Sequence, residues 1–256
     1  MQAALHALPL PAWRFYLVTA STNDEALAWA ALGAPEGSVV VAEAQTSGRG
    51  RAGRRWLAHS EAGLAFSVIA RPLPGEARHL SRFTAWGAVA LAEMLEEAYG
   101  VRAQVKWPND VLLHGRKIAG VLAEAVWEGD FPVAVVVGIG LNLAPESVPP
   151  AEAVDFPAGC VADAVGHLPP RWLTLAALLR HMLAWRYRLH SRAFLRTWES
   201  RLAYRGQTVQ AGETIGVLLG LDARGGLRLR LPTGEERSLV APEGHLRAVD
   251  SRHDFT

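Results

Sequence analysis

The chain holds a single cysteine, Cys160, in 256 residues. A disulfide framework is therefore impossible, and a site built from several thiolates is excluded. Apolar and small neighbours make Cys160 buried filler. Lysine is nearly as scarce: only Lys106 and Lys117 among 26 basic residues, the rest being arginine. Asparagine is confined to Asn23, Asn109 and Asn142. Charge of one sign is missing too. The net charge of +1 lacks the basic excess of a protein that lives on non-specific phosphate contacts. No apolar run reaches membrane-spanning length. The stretch from Met1 to Pro11 has no basic segment ahead of its apolar residues, so it is a poor signal peptide. These absences describe a cytosolic chain with no membrane partner. His59, His79, His114, His167, His181 and His190 show no zinc-ligand spacing, and no Gly-x-Ser-x-Gly elbow occurs, so no covalent nucleophile is assigned.

Half of the residues are hydrophobic and a fifth are charged, a globular composition with length enough for a sizeable core. In an Arg-rich background the few Lys and Asn residues are candidates for positions where substitution fails, the alternative being that a few rare residues must fall somewhere. Lysine supplies a compact charge that a planar guanidinium does not copy, and asparagine a donor and acceptor on one short arm.

Residues 13–18 read as a strand. Ser21-Thr22-Asn23-Asp24-Glu25 reads as a helix start, with a hydroxyl cap and acids at the positive end of the dipole. The helix runs 25–32 and stops at Gly33. Strands are expected at 38–43 and 64–70, with a long polar loop over 45–59 between them. Apolar spacing predicts a helix over 76–99 ending at Gly100. A strand over 101–106, a turn at Trp107-Pro108-Asn109-Asp110 and a hairpin of 111–113 with 117–126 follow. Residues 133–143 form another apolar strand, 145–157 a proline-rich loop, and 172–202 is mostly helix. Beyond Arg205-Gly206 short strands at 207–210, 214–219, 227–231 and 237–240 alternate with glycine turns, as in a small β-barrel. Hairpins rather than regular βαβ units favour an α+β fold with a mixed, mainly antiparallel sheet. The expected division is a catalytic domain over 1–205 and a small C-terminal domain over 206–256.

Three segments carry chemistry. Gly48-Arg49-Gly50-Arg51-Ala52-Gly53-Arg54-Arg55-Trp56 interleaves four guanidinium groups with glycines that let backbone approach a ligand. It suits an anion, although a solvated basic loop has the same composition; it is neither a Walker A loop nor a Rossmann fingerprint. Lys106-Trp107-Pro108-Asn109-Asp110 and Lys117-Ile118-Ala119-Gly120 bring two amines onto one hairpin, where they converge on an anion or are merely exposed. Gly138-Ile139-Gly140-Leu141-Asn142 closes a buried strand, and its glycines either admit a ligand or relieve crowding.

In this order, these segments resemble the biotin–protein ligase family: Ser21-Thr22-Asn23, the Gln45 to Trp56 loop, Lys106 to Asp110, Arg116 to Glu124 and Gly138 to Asn142. The resemblance is strong over 13–143. It implies an α+β catalytic domain related to lipoate ligases and class II synthetases, followed by an SH3-like barrel. It implies biotin and ATP as substrates, Mg²⁺ as cofactor, and a biotin carboxyl carrier protein as acceptor through a lysine. Ser21, Thr22, Asn23 and Gln45 would line the biotin pocket. Arg49, Gly50 and Arg51 would belong to the loop that orders over biotin and the adenylate. Lys117 would hold the biotin carboxylate and then the adenylate phosphate. Arg49, Arg51, Lys106 and Lys117 would form the catalytic cations. Trp56, Asn109, Asp110 and Asn142 would lie on the nucleotide side, with Asp110 a candidate metal ligand. About 20 residues precede Ser21, too few for the winged helix-turn-helix of members that are also repressors, so DNA regulation is not expected. The adenine-stacking aromatic is unassigned, with Trp127 and Trp172 open. Exposed sheet edges leave room for a homodimer. The rivals are a lipoate or octanoate ligase, whose Arg-Arg, triple-glycine and His-Asp signature is missing, and a nucleic-acid binder built on the arginine loop.

Overall fold

A computed structural model describes residues 1–56, 61–240 and 246–249. The elements follow in the order α1 (Gln2–His6), β1 (Trp13–Thr19), α2 (Thr22–Ala31), β2 (Val39–Gln45), β3 (Gly63–Ala70), α3 (Ser81–Tyr99), β4 (Gln104–Lys106), β5 (Asp110–Leu113), β6 (Arg116–Glu128) and β7 (Phe131–Asn142). Then come α4 (Val161–Val165), α5 (Arg171–Trp185), α6 (Arg192–Ser200), β8 (Thr208–Ala211), β9 (Thr214–Leu221), β10 (Leu227–Arg230), β11 (Glu236–Leu239) and β12 (Arg247–Ala248). Seven strands form one sheet in the order β1-β2-β3-β7-β6-β5-β4. Only β1 and β2 run parallel; the other neighbours are antiparallel. The last five strands form a second, antiparallel sheet in the order β11-β10-β9-β8-β12, which fits an SH3-like barrel. The α+β expectation holds.

Strand periodicity explains why the large sheet has two different faces. On β7, Val135, Val137, Ile139 and Leu141 join the main core with Val39, Val41, Leu64, Phe66 and Val68. Helices α3 and α5 cover that face; α3 is buried from Arg82 to Leu95 on nearly every side and ends at Gly100 in the left-handed region. The alternate residues, Ala134 and Val136, join Ala26, Ala30, Val40 and Ile69 under α2. This second cover is only as long as α2. Further along the same face β7 continues as Gly138, Gly140 and Asn142, where Asn23 lies against Gly138 and Trp56 against Gly140.

Several expectations need correcting. The α2 helix begins at Thr22, not Glu25, and Ser21 makes no capping hydrogen bond through its side chain. Gln45 does that work from the end of β2: its Oε1 accepts the Thr22 N–H at 2.7 Å. A 3₁₀ turn over Glu76–His79 precedes α3. The strand expected over 101–106 is regular only from Gln104. The expected helix over 172–202 breaks at a 3₁₀ turn, Arg186–Arg188, where Arg186 is drawn inward by Glu36 and Glu76. Helices α1 and α4 and strand β12 were not anticipated; each is five residues or fewer, too short to carry a periodic signal. The 45–59 loop contains a 3₁₀ turn, Arg51–Gly53, and an Arg49–Arg55 bridge; its residues 57–59 lie outside the described residues. Among the described residues no helix is long and apolar enough to cross a membrane.

Candidate functional site

The exposed end of the second sheet face is a cavity of about 440 Å³. Its floor is set by register. Gly120 pairs with Gly140, Leu122 with Gly138, and Ser67 of β3 with Gly138. A Cβ at Gly140 would strike the Trp56 indole, and one at Gly120 would press on the same ring. A Cβ at Gly138 would strike the Asn23 carboxamide. The glycines therefore let an indole and an amide lie directly on the strands. Of the two alternatives, the glycines here relieve crowding, since what lies on them is the protein's own Asn23 and Trp56.

Asn23 is held on all sides. Its Nδ2 donates to Glu124 Oε2 at 2.7 Å and to Leu122 O at 3.3 Å. Its Oδ1 accepts from Ser67 Oγ at 2.7 Å, and Ser67 Oγ lies 2.8 Å from Thr22 Oγ1. Ser21, Thr22 and Asn23 are all buried, so the start of α2 forms one rigid polar wall.

The arginine loop crosses above. Arg49 reaches Asp24 at 2.6 Å and Glu124 at 2.9 Å, latching the loop to α2 and β6. Arg55 donates to Thr46 O at 2.9 Å, and Arg54 Nε to Arg51 O at 3.1 Å. The Arg51 guanidinium is held below its ordinary pKa, chiefly by burial; Asp110 opposes that and Arg54 adds to it. Arg51 thus faces the cavity from a position poor in water, where an anion would be a strong partner.

The opposite wall comes from the β4–β5–β6 corner. Lys117 Nζ sits 2.7 Å from Asp110 Oδ1 and 5.8 Å from the centre of the Trp56 ring. Its backbone is pinned by the segment after β7: Lys117 N–H donates to Pro157 O at 2.8 Å, and its carbonyl accepts Gly159 N–H at 2.9 Å. Asn142 Nδ2 donates to Gly159 O at 3.0 Å. Asn109 braces the hairpin, donating from Nδ2 to Val121 O at 3.2 Å.

Ser21, Thr22, Asn23, Gln45, Arg49, Gly50, Arg51, Trp56, Asn109, Asp110, Lys117 and Asn142 all line the cavity. Lys106 is the exception. It is 2% exposed, and its Nζ lies 3.6 Å from the centre of the Phe156 ring, without a hydrogen-bond partner among the described residues. Its pKa falls from 10.5 to about 8, mainly through burial; Asp110 pulls it up, while Lys117, Arg247 and Arg54 push it down. So the two lysines do converge, but on Asp110, with one amine behind the wall. Phe156 and Asp155, in the proline-rich loop, also line the cavity. Neither was singled out, because a lone residue in an irregular segment has no spacing to read. The open aromatics fall elsewhere: Trp127 is half exposed on β6, and Trp172 packs on Phe15.

Residues 15–142 match the biotin/lipoate A/B protein ligase family. The chain is 33% identical over 234 residues to the bifunctional ligase/repressor BirA of Bacillus subtilis, covering 86% of this chain and 70% of that one. It is 37% identical over 232 residues to the biotin–[acetyl-CoA-carboxylase] ligase of Paracoccus denitrificans, covering 85% and 94%. Its fold matches the biotin protein ligase of Aquifex aeolicus, solved in complex with biotin and ATP, with a TM-score of 0.79 at 28% identity over 94% of this chain and 100% of that one. The matched segment ends at Asn142, the last residue of the glycine floor, and takes in β2 to β7 and most of β1. The chain belongs to the biotin/lipoate A/B protein ligase family.

Proposed function

We propose that this chain is an ATP-dependent biotin–protein ligase, which makes biotinyl-5′-AMP and transfers biotin to a lysine of a biotin carboxyl carrier protein. One observation carries the reading. A single cavity gathers the arginine loop, the Lys117–Asp110 pair and the Ser21–Asn23 wall over a floor of glycines. That is a compact slot for a small ring system with an anion at one end.

The chemistry needs such a slot. A biotin carboxylate oxygen bonds to the α-phosphorus of ATP, the bond to the β-phosphate oxygen breaks, and pyrophosphate leaves. Two anions meet, so cations must be aimed where charge develops. Lys117 exchanges Asp110 for the incoming carboxylate and then the adenylate phosphate; Arg49, Arg51 and Lys106 supply further positive charge. In the second step the acceptor amine attacks the acyl carbon, loses a proton, and AMP departs. Water would destroy the mixed anhydride, so the glycine-hinged loop closes over it.

Ser21, Thr22, Asn23 and Gln45 surround the ring system, and Gly50 lets the loop backbone approach it. Trp56, Asn109, Asp110 and Asn142 stand on the nucleotide side. Among the described residues no cluster of three His, Cys, Asp or Glu forms a metal cage. That fits Mg²⁺, which in nucleotide sites keeps few carboxylates and takes phosphate oxygens; Asp110 is the buried carboxylate to hold it. When bound, it would neutralise phosphate charge. We read residues 1–205 as the catalytic domain and 206–256 as its appended module, working in the cytosol. Edge strand β1, with Leu17 and Val18 exposed, is where a homodimer would form.

ATP–pyrophosphate exchange tests the proposal. Exchange should require biotin and fail with lipoate or octanoate. Exchange driven by lipoate and not by biotin would make the chain a lipoate ligase; salt-sensitive nucleic-acid binding with no exchange would sink the ligase reading.

A further inference from the structure

The C-terminal sheet is tied to the large one at a particular place. The turn between β9 and β10, Asp222 to Gly226, offers three consecutive carbonyls, and each accepts a side chain from the larger part. Arg82 donates to Ala223 O, Ser81 Oγ to Arg224 O at 3.3 Å, and Trp107 Nε1 to Gly225 O at 3.0 Å. The turn is preformed. Asp222 Oδ1 accepts the Arg224 N–H at 2.7 Å and the Gly226 N–H at 2.9 Å, and Gly225 N–H donates to Asp222 O at 3.0 Å. Gly225 has a φ of +84°, and a Cβ there would collide with the Trp198 ring of α6. Only glycine lets the turn sit flat on Trp198 with its carbonyl facing Trp107.

The segment that leads into this module grips the same place from the other side. Val105 N–H donates to Arg201 O at 2.7 Å, and Ala203 N–H to Val105 O at 3.0 Å, adding a parallel bridge to the outer edge of β4. Next in the chain, Tyr204 holds a φ of +64°. Its phenol is pushed above its usual pKa by burial and then by the charge of Asp110. Val105 and Trp107 flank Lys106, and Asn109 and Asp110 follow within one turn. The Lys106 amine has no hydrogen-bond partner among the described residues.

We infer that residues 201–204 and the Asp222–Gly226 turn act as a clamp that positions Lys106, Asn109 and Asp110 for the nucleotide half of the reaction. In this role Asp222, Gly225 and Trp107 are positioning residues, not catalytic ones. The inference rests on the ligase reading of the cavity. It explains what a small β-module adds to a site whose lining residues all come from the larger part. The biotin side hangs on α2, β2, β3 and the floor of β6–β7, and the hydrogen bonds of the clamp go instead to α3, β4 and Trp107.

The test uses the full chain and three variants. Trp107→Phe keeps the ring and removes the donor. Asp222→Ala unties the turn, and Asp222→Asn restores an acceptor for it. The expected result is a rise of about tenfold in KM for ATP in Trp107→Phe and Asp222→Ala. Biotin should bind within about twofold of wild type in calorimetry without nucleotide, and Asp222→Asn should recover most of the loss. A merely structural part would lower the folded fraction, hence kcat, and leave KM for ATP alone. Wild-type KM for ATP in both variants, or biotin and ATP binding lost in step, overturns the clamp. Wild-type protein that binds biotin but exchanges no pyrophosphate overturns the ligase reading, and the catalytic meaning of the clamp with it.

Discussion

At the residue scale the two lysines do different work because their surroundings differ. Lys117 is paired and faces the cavity; Lys106 is buried with its amine over the Phe156 ring. Lys117→Ala should abolish adenylate formation while the protein still folds, a loss on the order of 2.7–4 kcal/mol in the transition state. Single-turnover adenylation beside a circular dichroism melt checks it; activity within a few-fold of wild type would remove Lys117 from the mechanism. Lys106 makes a prediction of opposite sign for stability. Burial lowers its pKa to about 8, so from there up to the unfolded value the unfolded chain holds a proton that the folded chain has released. Stability from this group therefore rises with pH across that window, and at neutral pH the buried charge is a penalty on the order of 3 kcal/mol. Lys106→Met should raise the melting temperature at pH 7, with the gain fading from about pH 8 and largely gone above about pH 10, while ATP-dependent exchange falls. A less stable Lys106→Met at pH 7 would show that the amine is better solvated than its burial implies. Composition singled out both lysines; the difference between the two amines was not legible there, because burial is a property of the packed chain.

At the element scale the arginine loop is tied to the walls of the cavity by the Arg49 latch and by the seat of Trp56 on the glycine floor. Such a loop opens at low cost and closes when an anion gives Arg51 a partner. Arg51→Gly should release biotinyl-adenylate faster by about tenfold or more, read from stopped-flow dissociation. A rate equal to wild type would deny the loop its role as a lid. The loop was legible because glycine and arginine alternate within one short segment. The floor beneath it was half legible: Gly138 and Gly140 stood out, but that they seat Asn23 and Trp56 depends on the β6–β7 register, which pairs residues far apart in sequence. The Gln45 cap on α2 escaped for the same reason. It reaches across 23 residues to a helix start whose own hydroxyls looked sufficient.

At the scale of the whole molecule the two sheets share one hydrophobic cluster. It runs from Leu5 through α3 and α5 to Val209, Leu218, Leu229 and Leu246. With apolar burial and the hydrogen bonds of the Asp222–Gly226 turn continuous across the boundary, thermal unfolding should be a single transition in which calorimetric and van't Hoff enthalpies agree. Two resolved peaks in scanning calorimetry would mean that the modules fold independently and that the clamp is weak.

Composition and motif order by themselves determined the chemistry on offer: scarce amines, a glycine-arginine loop and an α+β pattern that ends in short strands. Local signals suffice for that, since residue type, spacing and turn propensity are written along the chain. Only the tertiary structure decided that Asn23 rests on Gly138, that Lys106 lies buried under Phe156, and that a distant turn holds Trp107. Those facts arise from strand register and burial, which depend on which segments meet and not on what any one segment prefers.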